Sequence, residues 1–329
     1  MQCRELSYLA IDIRWKTHPV LLTMTASAHQ AVECPIEQAL IKALLYFEIF
    51  SYPLTAEEVF HFARYRETGV QEVSEKLQGM VEKGLVYRFG RFYQTRDEPQ
   101  WEARRLDCNQ RADHFLPIAR RMARLIGAFP FIRAVFVSGS LSKHCMRPDS
   151  DIDFFLITEP GRLWLARTML VLFKKIFLLN SHKYFCVNYF VDTEHLEIED
   201  KNLFTATETV TLLPLYGRDW YEGFCKANSW AWELYPNVPQ RPTPGIAPHK
   251  KGLLKNVLEK LLPGKFGNWL DQKAMQSTVA FWKKKFRHFD REKFDLALRS
   301  RRHISKHHPL HFQEKVLNTL ARRLHEFPV

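Results

Sequence analysis

A chain of 329 residues with 46% apolar and 13% aromatic side chains can bury substantial cores, which excludes a disordered, collagen-like or disulfide-scaffolded protein. Its 48 basic against 36 acidic residues leave a net charge of +12, too mild a bias for a chain that merely coats nucleic acid. Cys3, Cys34, Cys108, Cys145, Cys186 and Cys225 form neither a C-x-x-C pair nor a zinc spacing, so a reducing, cytoplasmic compartment is expected.

Residues 1–34 have no sustained apolar run and read as a disordered extension rather than a secretory signal, with Met24 as an alternative start. A compact module follows over 35–97. Apolar residues recur at helical spacing from Ile36 to Phe50, stopping before Pro53. Thr55 stands three residues ahead of Glu58, a capping box that opens a second helix. Val70, Val73, Leu77, Met80 and Val81 give a third helix closed by Gly84, and Leu85 to Tyr93, broken at Gly90, reads as a hairpin. Three helices and a hairpin resemble a winged helix. The third helix carries Glu72, Glu75 and Glu82 against Lys76 and Lys83, a balance that favours a packing module over a reader of duplex DNA.

A polar helix over 98–130 leads into a domain spanning 131–234. Strands are predicted at Ile132 to Val137, Asp151 to Ile157 and Tyr184 to Asp192, with a helix from Gly161 to Leu179. Arg167, Lys174 and Lys175 interrupt that helix, so it reads as buried rather than membrane-spanning, and no membrane partner is expected. His195 to Glu199 alternates as an antiparallel edge strand would. Residues 235–249, with five prolines, read as a linker, and 250–329 as a basic helical region. The expected class is α/β (α+β), with a mixed sheet flanked by the two outer modules.

The chemistry concentrates between Ile132 and Ile157. Gly139 and Ser140 end a strand and open a short helix, where backbone N–H groups and the Ser140 hydroxyl can meet a phosphate without hindrance from a side chain at Gly139. Asp151 and Asp153 sit two apart on the next strand, so both carboxylates leave the same face, a clamp suited to Mg²⁺ completed by phosphate oxygens. An apolar strand, Gly-Ser, a short helix and an apolar-flanked D-x-D strand resemble the DNA polymerase β-like nucleotidyltransferase superfamily over residues 131–200. The resemblance implies transfer of a nucleoside monophosphate from a nucleoside triphosphate to an acceptor hydroxyl, with Mg²⁺ or Mn²⁺ on Asp151 and Asp153 and pyrophosphate released. Gly139, Ser140 and Lys143 would bind the nucleotide. The family's third carboxylate belongs on the following strand, where this sequence offers Asn188. Asp192, Glu197 and Glu199 are the further candidates. An amide can ligate a metal but cannot act as a base, so a catalytically degenerate, nucleotide-sensing or nucleic-acid-associated regulator is the alternative.

His144 is read with Lys143 as a loop residue, Asp149 as a turn residue, and Arg162 and Arg167 as exposed helix charges. Residues 250–306 hold sixteen basic against five acidic residues, including Lys283, Lys284, Lys285 and Arg287 interleaved with Phe281, Trp282 and Phe286. A nucleic-acid acceptor tracking this region and a merely solvated face are equally compatible with that pattern. His303, His307, His308 and His311 lack the companions of a transition-metal site.

Overall fold

A computed structural model describes residues 34–66, 68–181, 183–249, 252–308 and 312–327. The extension over 1–33, with Met24, and His311 lie outside them. The N-terminal module comprises α1 (Pro35–Glu48), β1 (Leu54–Thr55), α2 (Ala56–Phe62), α3 (Val70–Glu82), β2 (Tyr87–Phe89) and β3 (Phe92–Gln94), the strands ordered β1-β3-β2. The capping box forms: Glu58 N–H donates to Thr55 Oγ1 and Thr55 N–H to Glu58 Oε2. Val73, Leu77 and Met80 bury one stripe of α3, and Glu72, Glu75 and Glu82 stay exposed on it.

The 28-residue α4 (Gln100–Gly127) enters a mixed six-stranded sheet. Its members are β4 (Ile132–Val137), β5 (Asp153–Thr158), β6 (Cys186–Asp192), β7 (Leu213–Tyr216), β8 (Ser300–Arg301) and β9 (Ile304–Lys306), in the order β7-β4-β5-β6-β9-β8. Only β5 and β6 run parallel. Between them lie α5 (Gly139–Ser142), α6 (Leu163–Phe177), α7 (Leu203–Thr211), α8 (Arg218–Ala227), α9 (Ser229–Leu234), α10 (Leu253–Leu261), α11 (Gly264–Lys285) and α12 (Arg291–Ala297), and α13 (Phe312–Glu326) follows the last strand. Strand alternation sorts the sheet into two faces. Val135, Val137, Phe154 and Leu156 share one core with residues of α4, α6 and α11, whereas Ala134, Phe136, Phe155 and Ile157 pack with Tyr221 and Phe224 of α8.

Several sequence expectations change. Residues 195–199 form no strand, and β9 takes the antiparallel place beside β6. Two short strands therefore interrupt the region expected to be wholly helical. The proline-rich segment is a packed strap rather than a free linker: Asn237 Nδ2 donates to the Phe60 and Tyr65 carbonyls, Arg241 to the Ser142 carbonyl, and Gly217 N–H to Ala247 O. Arg162 is buried, donating to Asn268 Oδ1 and the Leu262 and Gly264 carbonyls, and Arg167 lies 4.6 Å over the Trp282 ring. Neither is an exposed helix charge. No described helix is long and apolar enough to cross a membrane.

Candidate functional site

The loop between β4 and β5 reverses the chain so that the end of β4, the start of β5 and the start of β6 come together at one end of the sheet. Gly139 adopts φ +67°, and a Cβ there would stand 2.7 Å from Asp153 Oδ2. Glycine lets the turn close onto that carboxylate without backbone strain or displacement of the side chain. Ser140 follows at the start of α5. Asp151 precedes β5 and Asp153 opens it, both half-buried.

Burial, followed by the neighbouring Asp151 charge, pushes the Asp153 carboxyl up to about 7. Asp151 is likewise raised by burial, against the opposing charges of Lys174 and Lys183. Two carboxylates that resist ionisation together are what an added cation would relieve.

A register slip places Asn188. Phe154 pairs with Val187 but Phe155 with Tyr189, so Asn188 is an extra residue in β6. Such a bulge turns a side chain out of strict alternation. Asn188 Nδ2 donates to Asp153 Oδ1 at 2.7 Å, and Cys186 Sγ donates to Asn188 Oδ1 at 3.1 Å. Strict alternation therefore fails along this strand: Phe190 joins Val187 in the α4–α6 core while Val191 faces α8.

The acidic alternatives for a third ligand lie elsewhere. Asp192 pairs in register with Thr158, five residues along β5 from Asp153 and thus roughly 16 Å away. It accepts from His195 Nδ1 and Glu194 N–H. Glu199 is tied to Arg299 and Arg301, and Glu197 to Lys201. None of the three meets Asp151 and Asp153.

Glu208, which the sequence reading missed, does reach the turn. Its Oε2 accepts from Gly139 N–H at 3.3 Å and its Oε1 from Lys143 Nζ at 2.8 Å, while Lys143 also donates to Gly139 O. Delivery comes from topology: Leu213 of β7 pairs with Val137 of β4, which brings the end of α7 beside Gly139. The available signal was a lone acid in the threonine-rich run 205–211 of a helix capped by Asn202. His144 turns away, bonding Asn109 and Asp113 on α4, and Asp149 is an exposed turn residue.

Among the described residues no group of three or more His, Cys, Asp or Glu converges as a metal cage. The donor set is two carboxylates, Asp151 just ahead of β5 and Asp153 at its start, which fits a hard divalent cation that draws its remaining ligands from phosphate and water, and not a self-contained structural metal. The basic and histidine-rich candidates sort differently. Lys283, Lys284 and Lys285 are exposed on α11, whereas His307 and His308 are half-buried and pushed down to about 3 and about 4 by desolvation. Comparison with protein-family models, curated proteins and solved structures finds no match.

Proposed function

We propose that this chain is a metal-dependent nucleotidyltransferase, built on a nucleotidyltransferase-type sheet with a winged-helix-like N-terminal module. The observation that carries the reading is the convergence of Gly139, Lys143, Asp151 and Asp153 at one end of the sheet, with glycine at positive φ where the turn meets the carboxylate. Asp151 and Asp153 would hold Mg²⁺ or Mn²⁺, which supplies Lewis-acid stabilisation of charge on the reacting phosphate.

The remaining work falls to the chain's own groups. Gly139 N–H, Ser140 and Lys143 bind the triphosphate, which competes with Glu208 for the same donors. Glu208, released from Lys143, would take the acceptor hydroxyl's proton as the acceptor oxygen bonds to the α-phosphorus and the bond to pyrophosphate breaks. Asn188 fixes the orientation of Asp153 through its amide.

One observation favours a second reading. An amide stands where the superfamily's third acid belongs, and Glu208 occupies the anion donors, as expected of a degenerate domain that senses nucleotide without turning it over. Incubation with each labelled nucleoside triphosphate, Mg²⁺ or Mn²⁺ and candidate acceptor hydroxyls separates the two. Transfer with pyrophosphate release, lost in Asp151→Asn/Asp153→Asn while the far-ultraviolet spectrum is kept, supports the enzyme. Nucleotide binding without turnover supports the sensor, and full activity in the double variant overturns the site.

A further inference from the structure

Helix α10 is mounted with its polarity reversed. Lys255 and Glu259, four apart, face the protein: Lys255 Nζ donates to the Gly127 and Ile132 carbonyls, and Glu259 accepts from Phe131 N–H and Arg133. At 100° per residue the opposite side carries Leu253, Val257 and Leu261. These are 88%, 52% and 64% exposed. Beyond the Pro263 turn, α11 exposes Phe266 and Trp269, at 56% and 53%, with their rings stacked 6.1 Å apart. Aliphatic side chains are thus presented outward by α10, whose inner side carries ion pairs and hydrogen bonds, and aromatic ones by α11, whose inner side packs Met275, Val279 and Trp282 into the core.

The exposed charges on these two helices have one sign. Residues 252–289 contain two acids, Glu259 and Asp271, and both are turned inward, Asp271 accepting from Leu165 N–H. Lys260, Lys265, Lys273, Lys283, Lys284, Lys285 and Arg287 are exposed. Lys260 adjoins the Leu253 stripe on α10, and Lys273 and Lys284 share the outer stripe of α11 with Phe266 and Trp269 by helical spacing.

From this arrangement we infer that the α10–α11 face docks on an anionic lipid surface. Apolar side chains ringed by lysines, with a tryptophan at the margin, complement the boundary between acyl chains and acidic headgroups. Two copies of the face would repel each other, and a nucleic acid has no counterpart for the Leu253, Val257 and Leu261 stripe. Such a surface lies on a bilayer and needs no spanning helix.

The test is sedimentation of the full chain with vesicles of phosphatidylcholine containing about a third phosphatidylglycerol, against pure phosphatidylcholine vesicles. Binding to the acidic vesicles is expected to fall about tenfold or more on neutral ones, in Lys260→Glu/Lys265→Glu/Lys273→Glu, and in Leu253→Ser/Val257→Ser/Leu261→Ser. Acidic vesicles should also shift wild-type tryptophan emission to the blue, and Trp269→Phe should remove most of the shift. That spectral readout holds even if a triple variant fails to fold. No binding, or equal binding to both vesicle types, overturns the inference. So does a wild-type dimer that the serine variant makes monomeric, or RNA binding that the glutamate variant abolishes and the serine variant leaves intact.

Discussion

At Gly139 one backbone conformation and one carboxylate constrain each other. Gly139→Ala places a Cβ at positive φ and 2.7 Å from Asp153 Oδ2, so the backbone is strained and the carboxylate must shift. The variant is expected to lose about 1–3 kcal/mol of stability and most nucleotide affinity, read by urea unfolding and nucleotide titration. Asp153 supplies a second expectation. Its folded-state pKa of about 7 exceeds the ordinary 3.8, so its contribution to stability is fully present below about pH 4 and is lost as pH rises through about 7. Asp153→Asn should therefore match wild type near the acid end and surpass it by on the order of 3 kcal/mol above neutrality. A gap independent of pH would contradict this account. Gly139, Ser140, Asp151 and Asp153 were legible because strand, turn and strand follow one another in sequence. Glu208 was not, since only the pairing of β7 with β4 brings it near. Asn188 was legible as a residue type, but the bulge that aims it at Asp153 leaves no mark in the alternation of β6.

Among the elements, α4 is held to the N-terminal module by Arg105. Its guanidinium donates to Glu58 Oε1 at 2.6 Å, to Pro53 O at 2.9 Å and to Asn109 Oδ1 at 3.1 Å, and lies 3.6 Å over the Tyr52 ring. Arg105→Ala strands Glu58 and an acceptor carbonyl, at a cost of about 3 kcal/mol. Gly217 is the analogous point in the sheet: at φ +82° a Cβ would meet Arg133 O at 2.3 Å, which is backbone and cannot swing away. Gly217→Ala should cost at least as much as Arg105→Ala, and thermal unfolding of both variants ranks them. The long helices and the Thr55 capping box could be read from periodicity and local chemistry. The strands β7, β8 and β9 could not, because two to four residues are too short for alternation to stand out and their pairing is entirely non-local.

Taken whole, the molecule does not divide where composition changes. Val316 and Leu320 of α13 are buried in the same core as Leu40, Leu44 and Leu77 of the N-terminal module. Leu320→Ala is expected to cost about 2–4 kcal/mol and to destabilise that module first, visible as early loss of hydrogen-exchange protection in α1 and α3. Residues 300–306 complete the central sheet in the same way, from the region expected to stand apart. The net positive charge was visible in composition, but its placement on the outer side of α10 and α11 was not, because the inward mounting of Lys255 and Glu259 opposes the usual rule for amphipathic helices. The partnership of α1 with α13 also bears on how the protein is made. The N-terminal module cannot finish its core until α13, more than two hundred residues further along the chain, has been made, and the sheet waits for β9. A nascent chain therefore carries two incomplete apolar surfaces until β9 and α13 emerge. Folding is timed by the synthesis of those elements, with chaperone demand highest in the interval before it.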